Sequence, residues 1–186
     1  INMFITGGRA GQVMYFAMLT IIIFQFFNDE KIKSLVAVLV LVPLIFFTAY
    51  QTSPIFHQRV DLAISDVVNY ELSNRTSVGN RITFAINSWE VIKENPIIGI
   101  GTGDFPSEYN KINQINTPNM RNTTNPHNMY TLVTMQLGLI GLVSMLSIFY
   151  YQIKLSLYAS NRFNRDFGIA LPLMFLVVMW SDSYLL

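Results

Sequence analysis

The sequence predicts an all-α integral membrane protein in which a multi-span helical bundle carries a large helical loop outside the cytoplasm. Of the 186 residues, 52% are hydrophobic and only 12% are charged, whereas soluble domains carry about 25% charged residues. The mean hydropathy is +0.39, and the longest apolar run exceeds the roughly 20 residues that a helix needs to cross a bilayer. These three observations place much of the chain in lipid.

Charge and cysteine content exclude several other classes of protein. A net charge of +1 offers no basic surface for nucleic acid. The absence of cysteine rules out disulfides and thiolate metal sites. The sequence starts with Ile and ends inside an apolar stretch, so we expect a piece of a longer multi-span protein. No signal peptide is recognisable.

Four apolar segments are predicted to span the membrane: residues 11–27, 35–50, 129–151 and 167–186. The second is shorter than the roughly 20 residues that the hydrocarbon core requires. It also contains Pro43, which removes one helix hydrogen bond. Neighbouring helices then have to supply a partner for the freed carbonyl.

The basic residues set the orientation of these spans. The short connections after the first and third spans carry Lys31, Lys33, Lys154, Arg162 and Arg165. The positive-inside rule places both connections in the cytoplasm. The segment 51–128, called the outer segment below, is then predicted to face the periplasm or the cell exterior.

Two helices are predicted within the outer segment. Apolar positions recur at helical spacing in residues 58–73, and residues 80–94 form a second amphipathic pattern that Asn80 or Ser77 can cap. Residues 110–126 are rich in Asn, Thr and Pro, which is typical of a loop.

A glycine run, Gly99, Gly101 and Gly103, follows the second predicted helix. Its spacing does not fit the dinucleotide-binding fingerprint, and no strand precedes it. We therefore expect a turn in which the backbone packs closely against another segment.

His127 lies where the polar outer segment meets the third predicted span. Pro126 biases Asn125 towards an extended conformation, and Asn128 can cap the helix that follows. A histidine held at this boundary suits proton transfer on a lipid-linked substrate. The alternative is an interfacial histidine without chemistry.

The spacing of His127-Asn128, Gly138 and Gly141 resembles the membrane signature of the bacterial O-antigen ligase family. Two upstream pieces extend the resemblance over most of residues 6–141. Thr6-Gly7-Gly8-Arg9 before an apolar helix resembles the family's upstream arginine segment. The second piece resembles the family's loop arginine and the run after it. It consists of Arg81, Trp89 and Asn95-Pro96-Ile97-Ile98-Gly99-Ile100-Gly101.

The resemblance implies the membrane fold of the polyprenol-dependent glycosyltransferases, in the bacterial inner membrane. The implied donor is a glycan on undecaprenyl diphosphate, and the acceptor is lipid A-core. O-antigen polymerases, with a polysaccharide acceptor, and protein O-oligosaccharyltransferases share the same pattern. The reaction is expected to invert the sugar and to need no metal and no cofactor.

The resemblance also implies roles for individual residues. Arg9 and Arg81 would bind the diphosphate, for which a guanidinium fork is well suited. Without the resemblance, Arg9 reads as an arginine reaching to lipid headgroups and Arg81 as a surface charge in the first turn of its helix. His127 would be the general base that activates an acceptor hydroxyl. The supporting positions would be Asn128, Gly138 and Gly141.

A transporter or lipid-binding membrane protein is the alternative from another class. Transporters place polar groups and broken helices near the bilayer midplane, whereas the polar groups here cluster in the outer segment and at span ends. The carboxylates Glu94, Asp104 and Glu108 match no metal motif. Asp182, at the outer end of the last span, is either functional or merely interfacial; His57 receives no role.

Overall fold

The computed structural model describes residues 9–27, 30–71 and 74–183, and for Arg9 only the backbone. Within those ranges all regular secondary structure is α-helical, so the all-α prediction is confirmed for them. The seven helices of the described residues are α1 Arg9–Phe26, α2 Lys31–Thr52, α3 Pro54–Val68, α4 Ser77–Glu94, α5 Phe105–Asn116, α6 Met129–Leu157 and α7 Arg162–Val178.

Two helices of the described residues, α2 with 22 residues and α6 with 29, are long and apolar enough to cross a membrane. The apolar part of α1, Ala10–Phe26, is shorter. In the described part of the fourth predicted span, residues 167–183, the helix ends at Val178. There the N–H groups of Ser181 and Asp182 both donate to the carbonyl of Val178 and form a turn. Membrane crossing by each of the four predicted spans therefore stays a prediction.

Three helices begin in the described residues of the outer segment, whereas the sequence predicted two. Helix α5 occupies Phe105–Asn116. Its second half falls within residues 110–126, which were predicted to form a loop. Pro106 is tolerated in the first turn, where the backbone N–H that proline lacks would have no partner within the helix. One face of α5 is buried through Phe105, Tyr109 and Asn113. Burial of this face outweighs the weak helix propensity of its asparagines.

The start of α4 also differs from the prediction. Thr76 is the N-cap, and its hydroxyl accepts a hydrogen bond of 3.0 Å from the N–H of Gly79. Neither Asn80 nor Ser77 has this role. Arg81 consequently lies in the second turn of α4, where the field of the helix dipole has largely decayed.

The chain divides into two compact units. The first comprises the described parts of Ile1–Ser65 and Leu155–Val177, and Phe16, Phe46 and Phe56 pack there edge to face or tilted at 5.2–6.3 Å between ring centroids. The second comprises the described parts of Asp66–Lys154 and Val178–Leu186. Its core consists of Phe84, Val91, Ile92, Phe105, Tyr109, Met129, Leu132, Val133, Met135, Met145 and Met179.

In the second unit, α6 is interrupted at Gly138, whose φ of 63° and ψ of −163° are not helical. The predicted glycine turn packs into this interruption. Four backbone hydrogen bonds join the two segments: Ile100 N to Met135 O and Gly101 N to Gln136 O, both 3.0 Å, Leu139 N to Pro96 O, 2.9 Å, and Ile140 N to Ile97 O, 3.2 Å. The backbone groups that the break frees are therefore paired.

Two glycines make this approach possible. A Cβ atom at Gly138 would collide with the carbonyl of Ile97, and one at Gly99 would collide with the carbonyl of Gln136. Both residues also have positive φ, which L side chains rarely adopt. The close backbone packing expected for the glycine run is confirmed at Gly99, with Gly138 in the facing segment, but not at Gly103.

We predict that Gly138→Ala destabilises the protein far more than Gly103→Ala. Gly103 also has positive φ, 87°, but a Cβ there would meet nothing within 4 Å. The control therefore measures the backbone cost alone, about 1 kcal/mol, whereas Gly138→Ala adds the collision and should cost about 3 kcal/mol. Apparent melting temperatures of the detergent-solubilised protein measure the difference. Equal shifts for the two variants would contradict the interlocked packing.

Candidate active site

The segment before α6 holds His127 in a defined conformation. His127 has a φ of 52°, which is uncommon for a residue with a side chain. Its N–H donates to Asn125 Oδ1 at 2.7 Å. Asn128 Oδ1 accepts from the N–H of Thr131 at 3.0 Å, which confirms the predicted cap. The N–H of Met129 donates to the carbonyl of Met179 at 2.9 Å.

The imidazole of His127 is paired with a carboxylate. Nδ1 lies 3.0 Å from Asp182 Oδ1, and the side chains are 44% and 37% exposed. Burial favours the neutral acid, but the N–H of Ser183, the hydrogen bond and charge of His127 and the charge of Arg81 together hold the pKa of Asp182 below its usual value. Asp182 is therefore ionised at neutral pH.

This pairing determines which ring nitrogen can act as a base. An ionised carboxylate only accepts hydrogen bonds, so Nδ1 of His127 carries the proton that lies between them. In the neutral ring, Nε2 then has the free lone pair. Phe84 stacks on the imidazole at 6.1 Å between ring centroids and 25° between planes.

A cavity of about 350 Å³, called the His127 cavity below, brings three of the predicted residues together: Arg81, His127 and Asn128. Its lining consists of Val78, Arg81, Ile82, Ala85, Pro126, His127, Asn128, Thr131 and Trp180. Arg81 is exposed, and within the described ranges it has no carboxylate at ion-pair distance. A base and an uncommitted cation thus face one space, which is what transfer from a diphosphate requires.

Asp182 and Trp180 are the parts of this site that the sequence did not connect to His127. Asp182 was recognised as a charge in the last apolar run, but its partner lies 55 residues away. The predicted topology held a usable signal, since it put His127 and Asp182 at the same outer face. Nothing in the sequence around Trp180 indicated that it belongs to the site. In the structure its carbonyl accepts a hydrogen bond from Asn128 Nδ2 at 3.3 Å.

Other predicted residues lie outside the His127 cavity. The side chain of Arg9 is not among the described residues. Gly138 and Gly141 lie within α6 and not in the cavity lining. Glu108 pairs with Lys111 at 2.6 Å, and no cluster of three or more His, Cys, Asp or Glu occurs in the described ranges.

His57, which received no role, has partners of its own in the first unit. Its Nε2 lies 3.0 Å from Asp61 Oδ2, and the hydroxyl of Tyr50 donates to Asp61 Oδ1 at 2.7 Å. The rings of Tyr50 and His57 stack at 4.0 Å.

Residues 1–146 match the sequence profile described as O-antigen ligase. The chain belongs to the O-antigen ligase family. An uncharacterized protein of Haemophilus influenzae is 36% identical to it over 108 residues, which are 54% of this chain and 26% of that relative. The chain thus spans about a quarter of that relative's length.

Family membership rests on residues 1–146, which are most of the chain. The apolar helices agree with a location in the inner membrane. The family match covers Arg81, His127 and Gly138 but ends before Asp182, so the pairing of His127 is an observation of the structure alone.

We predict that neutral His127 is protonated on Nδ1 and that neutral His57 is protonated on Nε2. The two histidines offer opposite nitrogens to their carboxylates, so each serves as the control for the other. Nitrogen chemical shifts of ¹⁵N-histidine in the detergent-solubilised protein report the tautomers, and His57→Gln assigns the signals. A His127 signal with its proton on Nε2 would contradict the arrangement.

Proposed function

We propose that the protein transfers a glycan from undecaprenyl diphosphate to an acceptor hydroxyl at the outer face of the inner membrane. The observation that carries this proposal is the shared cavity of Arg81 and His127, with Asp182 behind the imidazole. Family membership supports the lipid-linked donor and a lipid A-core acceptor. A growing polysaccharide or a protein as acceptor would use the same chemistry.

In this proposal His127 is the general base. Its Nε2 takes the proton of the acceptor hydroxyl as the hydroxyl oxygen attacks the anomeric carbon. Asp182 keeps the imidazole in the required tautomer and stabilises the imidazolium that forms, because its carboxylate remains ionised. General-base assistance of this kind typically contributes 10²–10⁴-fold to the rate.

Arg81 is proposed to stabilise the leaving group. As the new glycosidic bond forms, the bond between the anomeric carbon and the diphosphate oxygen breaks, and undecaprenyl diphosphate leaves with the electron pair. A guanidinium can hold two phosphate oxygens at once. Arg81 is free to do so, because it makes no ion pair with a described carboxylate. Arg9 stays a second diphosphate ligand on the basis of the resemblance alone.

A single displacement of this type inverts the configuration of the sugar. We propose that it proceeds without a metal, because guanidinium groups supply the positive charge that the departing diphosphate needs. Activity that persists in excess chelator would agree with this part of the proposal, and rescue of a chelated enzyme by magnesium or manganese would contradict it.

A transporter reading is less well supported, although α6 is a broken helix. In transporters the free backbone groups at such a break bind the substrate or an ion. Here the carbonyls of Met135 and Gln136 accept hydrogen bonds from the glycine turn. The break in α6 is thus occupied by the protein's own backbone.

We predict that His127→Asn abolishes the acid limb of the pH–rate profile and lowers the rate about 10²–10⁴-fold. Asparagine tolerates the positive φ of this position better than alanine, so the fold should be retained. The wild-type rate should fall on the acid side of the profile, because a protonated base cannot accept the hydroxyl proton. Asp182 cannot cause that limb, because its pKa is below its usual value and it is charged throughout.

The measurement for His127 is single-turnover transfer against pH in proteoliposomes at saturating donor. His57→Asn is the control, since it removes the chain's other histidine without touching the His127 cavity. A wild-type profile that is flat between pH 5 and 8, or a His127→Asn enzyme that keeps the limb, would remove His127 from the base role.

We predict that Arg81→Lys weakens donor binding and transfer by about ten-fold or more. One ammonium cannot reproduce a forked phosphate contact, and a hydrogen bond to a charged group contributes about 1.5–3 kcal/mol. Donor binding and transfer are measured side by side, with Arg59→Lys in the first unit as the control. If Arg81→Lys behaves like the control, Arg81 is only a surface charge.

A further inference from the structure

A second cavity of the second unit is lined by two arginines and two asparagines. The cavity, called the Arg75 cavity below, measures about 510 Å³ and is lined by Arg75, Asn80, Asn119, Met120 and Arg121. No acidic residue belongs to its described lining. Asn80 and Arg81 are adjacent in α4 but line different cavities, so the Arg75 cavity and the His127 cavity border the same helix.

The basic residues in and next to α4 and α5 fall into two groups. Lys93 and Lys111 are each neutralised by a glutamate on their own helix, Glu90 and Glu108, at 2.6 Å. In contrast, Arg75 and Arg121 have no ion pair with any described carboxylate.

The two guanidiniums of the Arg75 cavity keep most of their donors. Arg75 donates from Nη2 to the carbonyl of Asn119 at 2.8 Å and retains its other N–H groups. Two like charges that border one cavity repel each other, and an anion between them removes that repulsion.

A buried hydrogen-bond network fixes the turn that presents Arg121. Asn87 Nδ2 donates to Thr117 Oγ1 at 2.8 Å, and that hydroxyl donates to Asn113 Oδ1 at 2.7 Å. Asn113 Nδ2 donates in turn to the carbonyl of Met120 at 3.2 Å. Asn113 is 1% exposed, and both its amide nitrogen and its amide oxygen are hydrogen-bonded, which holds the turn in place. The wall of the Arg75 cavity is therefore preorganised.

We propose that the Arg75 cavity binds an acidic sugar of the acceptor, one that bears a phosphate or a carboxylate. This inference rests on the proposed glycan transfer. Guanidinium forks match both oxyanions, and the amides of Asn80 and Asn119 suit the hydroxyls of a sugar ring. Because residues 121–127 run from the Arg75 cavity to His127, a glycan held at Arg121 can extend towards the base.

The first test measures binding of small probes to the full-length protein in detergent by ligand-observed NMR. Glucose 6-phosphate and glucuronate are expected to bind at least ten-fold more tightly than glucose or inorganic phosphate. Arg75→Gln and Arg121→Gln should each weaken binding of the acidic sugars about ten-fold, which corresponds to the loss of one hydrogen bond to a charged group. Both variants should leave the binding of glucose unchanged. Arg59→Gln, in the first unit, is the control and should not alter binding of any of these probes.

Three results of this test would overturn the proposal. Binding of the acidic sugars that is unchanged in both variants would remove the arginines from the site. An equal loss for glucose would indicate a general defect of the fold. Inorganic phosphate that binds as tightly as glucose 6-phosphate would indicate an oxyanion site without sugar recognition.

The second test separates this inference from the proposed function. In transfer assays, Arg121→Gln should raise the KM for an acidic acceptor glycan about ten-fold and leave kcat nearly unchanged, whereas His127→Asn lowers kcat. A normal KM for Arg121→Gln, with His127→Asn still inactive, would overturn the acceptor site alone. A normal kcat for His127→Asn would overturn the catalytic proposal instead.

Discussion

The contact between the glycine turn and the break in α6 is the constraint on which the candidate site depends. A helix that is interrupted in an apolar stretch leaves N–H and C=O groups without partners, and each costs several kcal/mol in hydrocarbon. Here the backbone around Gly99 supplies those partners. The same turn follows the end of α4, so it fixes the helix that carries Arg81 against the helix that begins beside His127.

The polar part of the outer segment is ordered by its own amides. Asn113 and Asn87 are buried and joined through Thr117, and Asn110 Oδ1 accepts from the N–H of Thr123 at 3.2 Å. Composition alone suggested a loop, since these residues favour turns. Composition does not reveal the direction of the side chains, and here Asn87 and Asn113 point inward and add a hydrogen-bonded network to the apolar core of the second unit.

How far the sequence could predict the site depends on the distance over which each feature is encoded. The cap at Asn128 and the close backbone approach at Gly99 follow from local chemistry, so local patterns found them. Arg81 and His127 came from the resemblance, but their common cavity required the packing of α4 beside the start of α6. Pairing of His127 with Asp182 is a tertiary contact that no local pattern encodes, although the lone histidine and the lone acid were predicted for one face.

The pairing of His127 with a residue 55 positions later has a consequence for biosynthesis. The chain is made from its N-terminus, so the histidine leaves the ribosome well before its carboxylate. The residues that close the site, Met179 through its carbonyl and Asp182 through its side chain, become available only after α7 has been synthesised. In a nascent chain His127 therefore lacks the carboxylate that orients its imidazole. The pair of His127 and Asp182 forms only after α7 and the residues that follow it have been synthesised.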